Sequence, residues 1–226
     1  MKNDLINGKP MKSIILFALP IMLSSMLQYN YNLVDNIIVG RFVGTDALAA
    51  VGNVGSINGF IIGDVYKRQA RKFDKMNKYA GNSITLAFVI GMVIMIVAHF
   101  LSRPLLKAID TPDDIIDMSA QYIDVLYYAV PIQMSLNNFN ALSRAVGDSK
   151  RPLYFLIVSV IVNLLLDILF VGAFKWGVIG AAWATAISEL VAAVLSAISV
   201  LKHTEEYNID KTALKIDGKV SWAQIK

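Results

Sequence analysis

Residues 152–174 read PLYFLIVSVIVNLLLDILFVGAF, 23 positions with a single charge, Asp167. Crossing about 30 Å of hydrocarbon takes about 20 residues of helix. The stretch is therefore long enough to span a bilayer and too apolar for the surface of a soluble domain. Blocks of the same kind lie on either side. Residues 176–201 carry only Glu189, residues 125–143 are uncharged between Asp124 and Arg144, residues 83–101 carry no charge, and residues 13–40 carry only Asp35. A further block, 47–63, is short, with four Gly and two Asn; at the helical rise it reaches about 25 Å. The expected fold is an all-α integral membrane bundle of six helices, with spans at 13–40, 47–63, 83–101, 120–143, 152–174 and 176–201. These form one lobe over residues 1–201, and the polar residues 202–226 are expected to be a cytoplasmic connector.

The composition agrees. Of 226 residues 56% are apolar and 17% charged, against about 45–50% and about 25% in ordinary soluble domains. The net charge is +4, but the basic residues flank the apolar blocks and form no aromatic-interleaved stripe of the kind that binds nucleic acid. The absence of Cys excludes a disulfide-stapled secreted module. The apolar block from residue 13 is too long for a cleaved signal peptide. With six spans, 17 of the 21 Lys and Arg fall on one side and 4 on the other. Positive charge collects on the cytoplasmic side, which places both termini in the cytoplasm.

Charge at bilayer depth is costly and usually faces a cavity or a partner. Gln28, Asn32 and Asp35 are spaced i, i+4, i+7 on one helix face, with Pro20 two turns earlier as a point where the helix can bend. Asp35 has two readings, a cavity carboxylate or a solvated group near the outer interface. Asn163 and Asp167 lie one turn apart in an apolar run, an amide oxygen and a carboxylate suited to Na⁺ or a shared proton; the competing reading is a polar clamp between helices. Gln133, Asn137 and Asn140 form a polar stripe leading to Arg144. Thr185 and Glu189 lie one turn apart among small residues that permit close packing. Thr185 offers a hydroxyl ligand, and Glu189 is equally a functional, packing or lipid-interface residue. His99 reads as interfacial. With two His, no Cys and no glycine-rich phosphate loop, zinc, nucleophile-triad and nucleotide sites lack their parts, so no enzyme activity and no catalytic residue is expected.

Four stretches together resemble the multidrug and toxic compound extrusion (MATE) transporters: Ala18-Leu-Pro20 with YNYNLVD at 29–35 and IIVGRFVG at 37–44; ALAAVG at 47–52; RAVGDSKRP at 144–152; and WGVIGAAWAT at 176–185. The resemblance implies an amino-terminal lobe in which Asp35, Asn163, Asp167 and Thr185 bind the coupling cation, Na⁺ or H⁺. Gln28, Asn32, Gln133, Asn137 and Asn140 would then line the drug cavity. Glu189 is not part of that pattern. It further implies a multi-pass protein of a prokaryotic plasma (inner) membrane, working without a cofactor as a cation-coupled antiporter of small amphipathic or cationic drugs, with lipid as its surroundings.

Two departures accompany the resemblance. Such transporters have twelve helices in two lobes, so the second lobe is expected to be missing here or replaced by a second copy in a homodimer. The second span also stops short at DVYKRQ, residues 64–69, which resembles a translated sequencing-adapter remnant; the two readings are a loss of about a score of native residues and a real, shortened helix. The rival readings are a flippase for lipid-linked precursors of the same superfamily, which needs a more basic cavity, and a non-transporting half-size membrane protein.

Overall fold

The computed structural model describes residues 10–42, 44, 46, 49 and 76–202. The expected second span, 47–63, and the expected connector, 202–226, lie almost wholly outside them. Five long helices are described: α1 (Pro10–Phe42), α2 (Met76–Ala108), α3 (Ile116–Ala145), α4 (Lys150–Asp167) and α5 (Gly177–Lys202). They correspond to the first, third, fourth, fifth and sixth expected spans and reach a few residues beyond most of the expected limits.

Stretches of four of them are long and apolar enough to cross a membrane: Ile14–Phe42, Ser83–Ala108, Lys150–Ala173 and Gly177–Lys202. Helix α3 is the exception. Its 30 residues reach about 45 Å, but the amides at Gln133, Asn137, Asn138 and Asn140 lower its hydropathy. Its surroundings explain this. It packs along both α2 and α5, and Tyr127, Ile123, Val130 and Met134 are among the most deeply buried side chains of the bundle. A helix screened from lipid by its neighbours does not need an apolar circumference.

Close approach is set by small residues. On α5, Ala181, Ala182 and Ala184 are fully buried, which lets α3 and α4 lie directly against its backbone. Where α2 meets α3, Gly91 sits so close that a Cβ there would stand 2.6 Å from the Pro131 Cα. On the other side of the bundle α1 packs mainly on α4, with a smaller contact to α5. It runs as one helix through Pro20. Its outer face, including Met22, Met26 and Ile37, is exposed.

The turns explain two of the sequence stretches. In residues 144–152 Gly147 adopts φ +82, and the Asp148 Oδ1 accepts hydrogen bonds from the Lys150 and Arg151 backbone N–H groups at 3.0 and 3.1 Å. This satisfies two of the orphan donors at the start of α4. The Arg151 Nε adds a 3.1 Å contact to Asp148 Oδ2. Before α5, Lys175 at φ +56 and Gly177 at φ +63 reverse the chain, and the Phe170 and Trp176 rings stack across the turn at 4.9 Å. One feature of α4 has no sequence signature. Directly after Asp167 the helix widens into a π-helical turn, Ile168–Ala173, which ends where the Phe174 N–H reaches the Leu169 carbonyl at 2.8 Å.

Candidate functional site

Helices α1 and α4 run side by side, and Asp35 and Asp167 lie at matching depths, each about 10 Å of helix before the end of its span. The two carboxyls meet, close enough to hydrogen-bond when one carries a proton. Asp35 is 7% exposed, Asp167 0% and Asn163 2%, so the interfacial reading of Asp35 does not hold: it points into the bundle. Asp35 Oδ1, both oxygens of Asp167 and the Asn163 Nδ2 have no hydrogen-bond partner. Two carboxylates without a donor between them repel each other in a medium of low dielectric. The pair suits a bridging proton or a hard cation, with the Asn163 amide oxygen one turn away as a further ligand. The π-helical turn begins directly after Asp167, and α1 also packs on it. The Phe42 ring lies 3.8 Å from where a Cβ of Gly172 would be.

Thr185 of α5 is bound to α1 and not to the carboxyl pair. Its Oγ1 accepts a hydrogen bond from the Tyr31 hydroxyl at 3.1 Å, tying α1 to α5. Tyr31 in turn lines a cavity of about 180 Å³ between α1, α3, α4 and α5. Of the residues expected there, Gln28, Gln133, Asn137 and Asn140 line it. Asn32 falls on α1 at a position whose side chain is outside the described residues. The apolar walls include Phe155, Leu156 and Val160 of α4.

One residue of this region, Tyr31, escaped sequence reasoning, and a second, Glu189, was visible but left with three open readings. Tyr31 is one turn before Asp35, which was the available signal, but its partner lies 154 residues away. Glu189, set outside the core by the resemblance, faces the cavity, and its Oε1 accepts a hydrogen bond from the Gln133 Nε2 at 2.9 Å. The arrangement is a column. At one level are Asp35, Asn163 and Asp167; next comes the Tyr31–Thr185 bond; below it is the Gln133–Glu189 bond; then the cavity runs past Asn137 and Asn140 to Arg144, where α3 ends. His99, expected at an interface, is half-exposed and contacts Asp124 at 3.3 Å.

A bundle of apolar helices that encloses a buried carboxylate pair and a polar cavity has the construction of a membrane transport protein. The MatE family model matches residues 20–65 and 69–169. The Bacillus subtilis protein described as probable multidrug resistance protein YoeA is 32% identical over 227 aligned positions, which take up 91% of this chain and 49% of the relative. Among solved structures, the outward-facing conformation of a multidrug resistance MATE family transporter of the MOP superfamily superposes with a TM-score of 0.83 at 25% identity, over 99% of this chain and 52% of that one. A mutant of the Vibrio cholerae MATE transporter VcmN superposes with a TM-score of 0.82 at 22% identity, over 95% and 51%. This chain belongs to the MatE family. It spans about half the length of the curated relatives it matches.

Proposed function

We propose that this chain forms the amino-terminal lobe of a cation-coupled multidrug antiporter, working with a second lobe by alternating access. The observation that carries the reading is the meeting of Asp35 and Asp167 in the bundle without a hydrogen-bond donor between them. Na⁺ or H⁺ would settle between these carboxyls, with Asn163 as an added ligand and Thr185, held by the Tyr31 hydroxyl, as the hydroxyl the resemblance adds to the set. Loading the site changes the charge between α1 and α4, and thereby how α1 packs. The cavity walls that α1 supplies, from Ile21 to Tyr31, move with it, with Pro20 as the place for the bend. That coupling links ion entry to drug release. Positive charge at the 144–152 end supports a cytoplasmic side for this end of the cavity, in a prokaryotic inner membrane.

Among the described residues lining the cavity, Arg144 is the one basic side chain. This favours amphipathic or cationic cargo over the diphosphate of a lipid-linked precursor. The family match breaks at 66–68, inside DVYKRQ. The 227 positions aligned with YoeA also exceed the share of this chain they occupy, so the relative carries residues with no counterpart here. Both support the reading that native residues are missing after the second span. In the full-length transporter, Asp35→Asn is expected to leave membrane insertion intact and abolish ion-driven dye efflux from cells. The proposal fails if efflux in everted vesicles under the same ion gradient is unchanged.

A further inference from the structure

The antiporter reading accounts for Asp35 and Asp167 but leaves a third carboxylate inside the bundle without a role. We propose that Glu189, oriented by Gln133, is a second cation site that captures the ammonium head of an organic monocation in the cavity. The proposal rests on the antiporter reading and deepens it by assigning the contact that would recognise the drug.

Glu189 sits one turn beyond Thr185, on the cavity side of the Tyr31–Thr185 bond, whereas Asp35 and Asp167 are not among the cavity-lining residues. Its carboxylate makes one hydrogen bond, from the neutral Gln133 amide, and no ion pair among the described residues. An amide orients a carboxyl but does not neutralise its ionised form, and that form, among apolar helices, is stabilised by a cation. Arg144 does not stand near enough to serve. It is eleven residues along α3 from Gln133, about 16 Å at the helical rise. The side chains nearest Gln133 along the cavity wall, Asn137 and Asn140, are neutral, so the acidic group of the cavity lies at its Glu189 end.

That polarity gives a ligand one orientation, cationic group towards Glu189. Size narrows the ligand further. At about 180 Å³ the cavity is smaller than the roughly 300–1,000 Å³ of sites for whole drug-sized molecules. It holds a head group, with Phe155, Leu156 and Val160 against its alkyl or aryl substituents. The remainder of a larger drug would extend out of this lobe.

The test uses the 226-residue chain in lipid nanodiscs and benzyltrimethylammonium as probe, with neutral benzyl alcohol for comparison. Calorimetric titration is expected to show wild-type binding of the cation and none of the alcohol. Glu189→Gln is expected to weaken cation binding by about tenfold or more, the loss of a charge-assisted contact in a buried setting. Val160→Trp, which fills the cavity and leaves Glu189 in place, is expected to abolish binding. Wild-type affinity in folded Glu189→Gln overturns the proposal, as does a wild-type chain that binds alcohol and cation alike. Should Glu189→Gln fail to give a monodisperse chain, unchanged binding in Val160→Trp overturns it on its own. Each of these results leaves the Asp35 efflux experiment unaffected, so the failure of one reading is distinguishable from the failure of the other.

Discussion

Asp167 is fully buried, and neither of its oxygens has a hydrogen-bond donor. An asparagine there would present an amide N–H to Asp35 and remove one of the two facing carboxyls. Asp167→Asn is therefore expected to stabilise the chain by about 1 kcal/mol, the net value of a typical hydrogen bond, while abolishing ion coupling in the full-length transporter. Unfolding in mixed micelles, followed by tryptophan fluorescence, checks the first part; a variant less stable than the wild type contradicts it. Asp35, Asn163 and Asp167 were legible in the sequence for one physical reason: a charge or amide inside a 20-residue apolar run is expensive and stands out. Glu189 stood out in the same way but its role did not, and Tyr31 did not stand out at all, because what gives each its place is a partner on another helix. Tyr31 meets Thr185, and Glu189 meets Gln133 56 residues away; no spacing within one helix reports such a pairing.

Between elements, α2 crosses α3 in close contact at Gly91 and Pro131. The atom that an added Cβ would strike at 2.6 Å is main chain, so no rotamer change relieves the contact and the helices must separate. Gly91→Ala is expected to cost about 1–3 kcal/mol through overpacking. Gly172→Ala is the matched comparison. Its added carbon meets only the edge of the Phe42 ring at 3.8 Å, and stability is expected to hold within about 0.5 kcal/mol. Micelle unfolding of the two variants side by side decides the point, and equal losses would contradict this account of the crossing. The α4–α5 contact is of another kind: the buried Ser159 hydroxyl donates to the Ser188 carbonyl at 2.9 Å. Ser159→Ala is expected to lower stability by about 0.6 kcal/mol, the average for such bonds within membranes. Helix periods and lengths made the spans readable as elements. The apolarity of α3 was overstated by counting charges alone, because its amides are uncharged yet polar. The π-helical turn after Asp167 was unreadable, since ILFVGA has no residue that forbids an ordinary α-helix.

The whole molecule has a direction as well as a shape, and the direction rests on charge. Lys150 and Arg151 begin α4 at one end of the bundle, beside Arg144. The turn from Ile109 to Ile115, with Asp113 and Asp114 exposed, lies at the other end, between α2 and α3. The potential and translocation machinery of a bacterial membrane retain Lys and Arg on the cytoplasmic side of short loops, and acidic residues contribute little to orientation. The 144–151 end is therefore expected inside and the 109–115 turn outside. The chain has no cysteine, so single cysteines can be introduced against a silent background. Asp113→Cys is expected to react with a membrane-impermeant maleimide on intact cells. Lys150→Cys is expected to react only after permeabilisation, although its position is equally exposed to solvent. Both substitutions lie at exposed helix or turn ends and leave the core untouched, so a change of labelling reports orientation and not unfolding. The reverse pattern would turn the bundle over, putting the Arg144 end of the cavity outside and requiring drug to enter from the opposite face. Labelling of both positions on intact cells would mean that the helices insert in two orientations, and that charge placement does not fix the direction of this lobe.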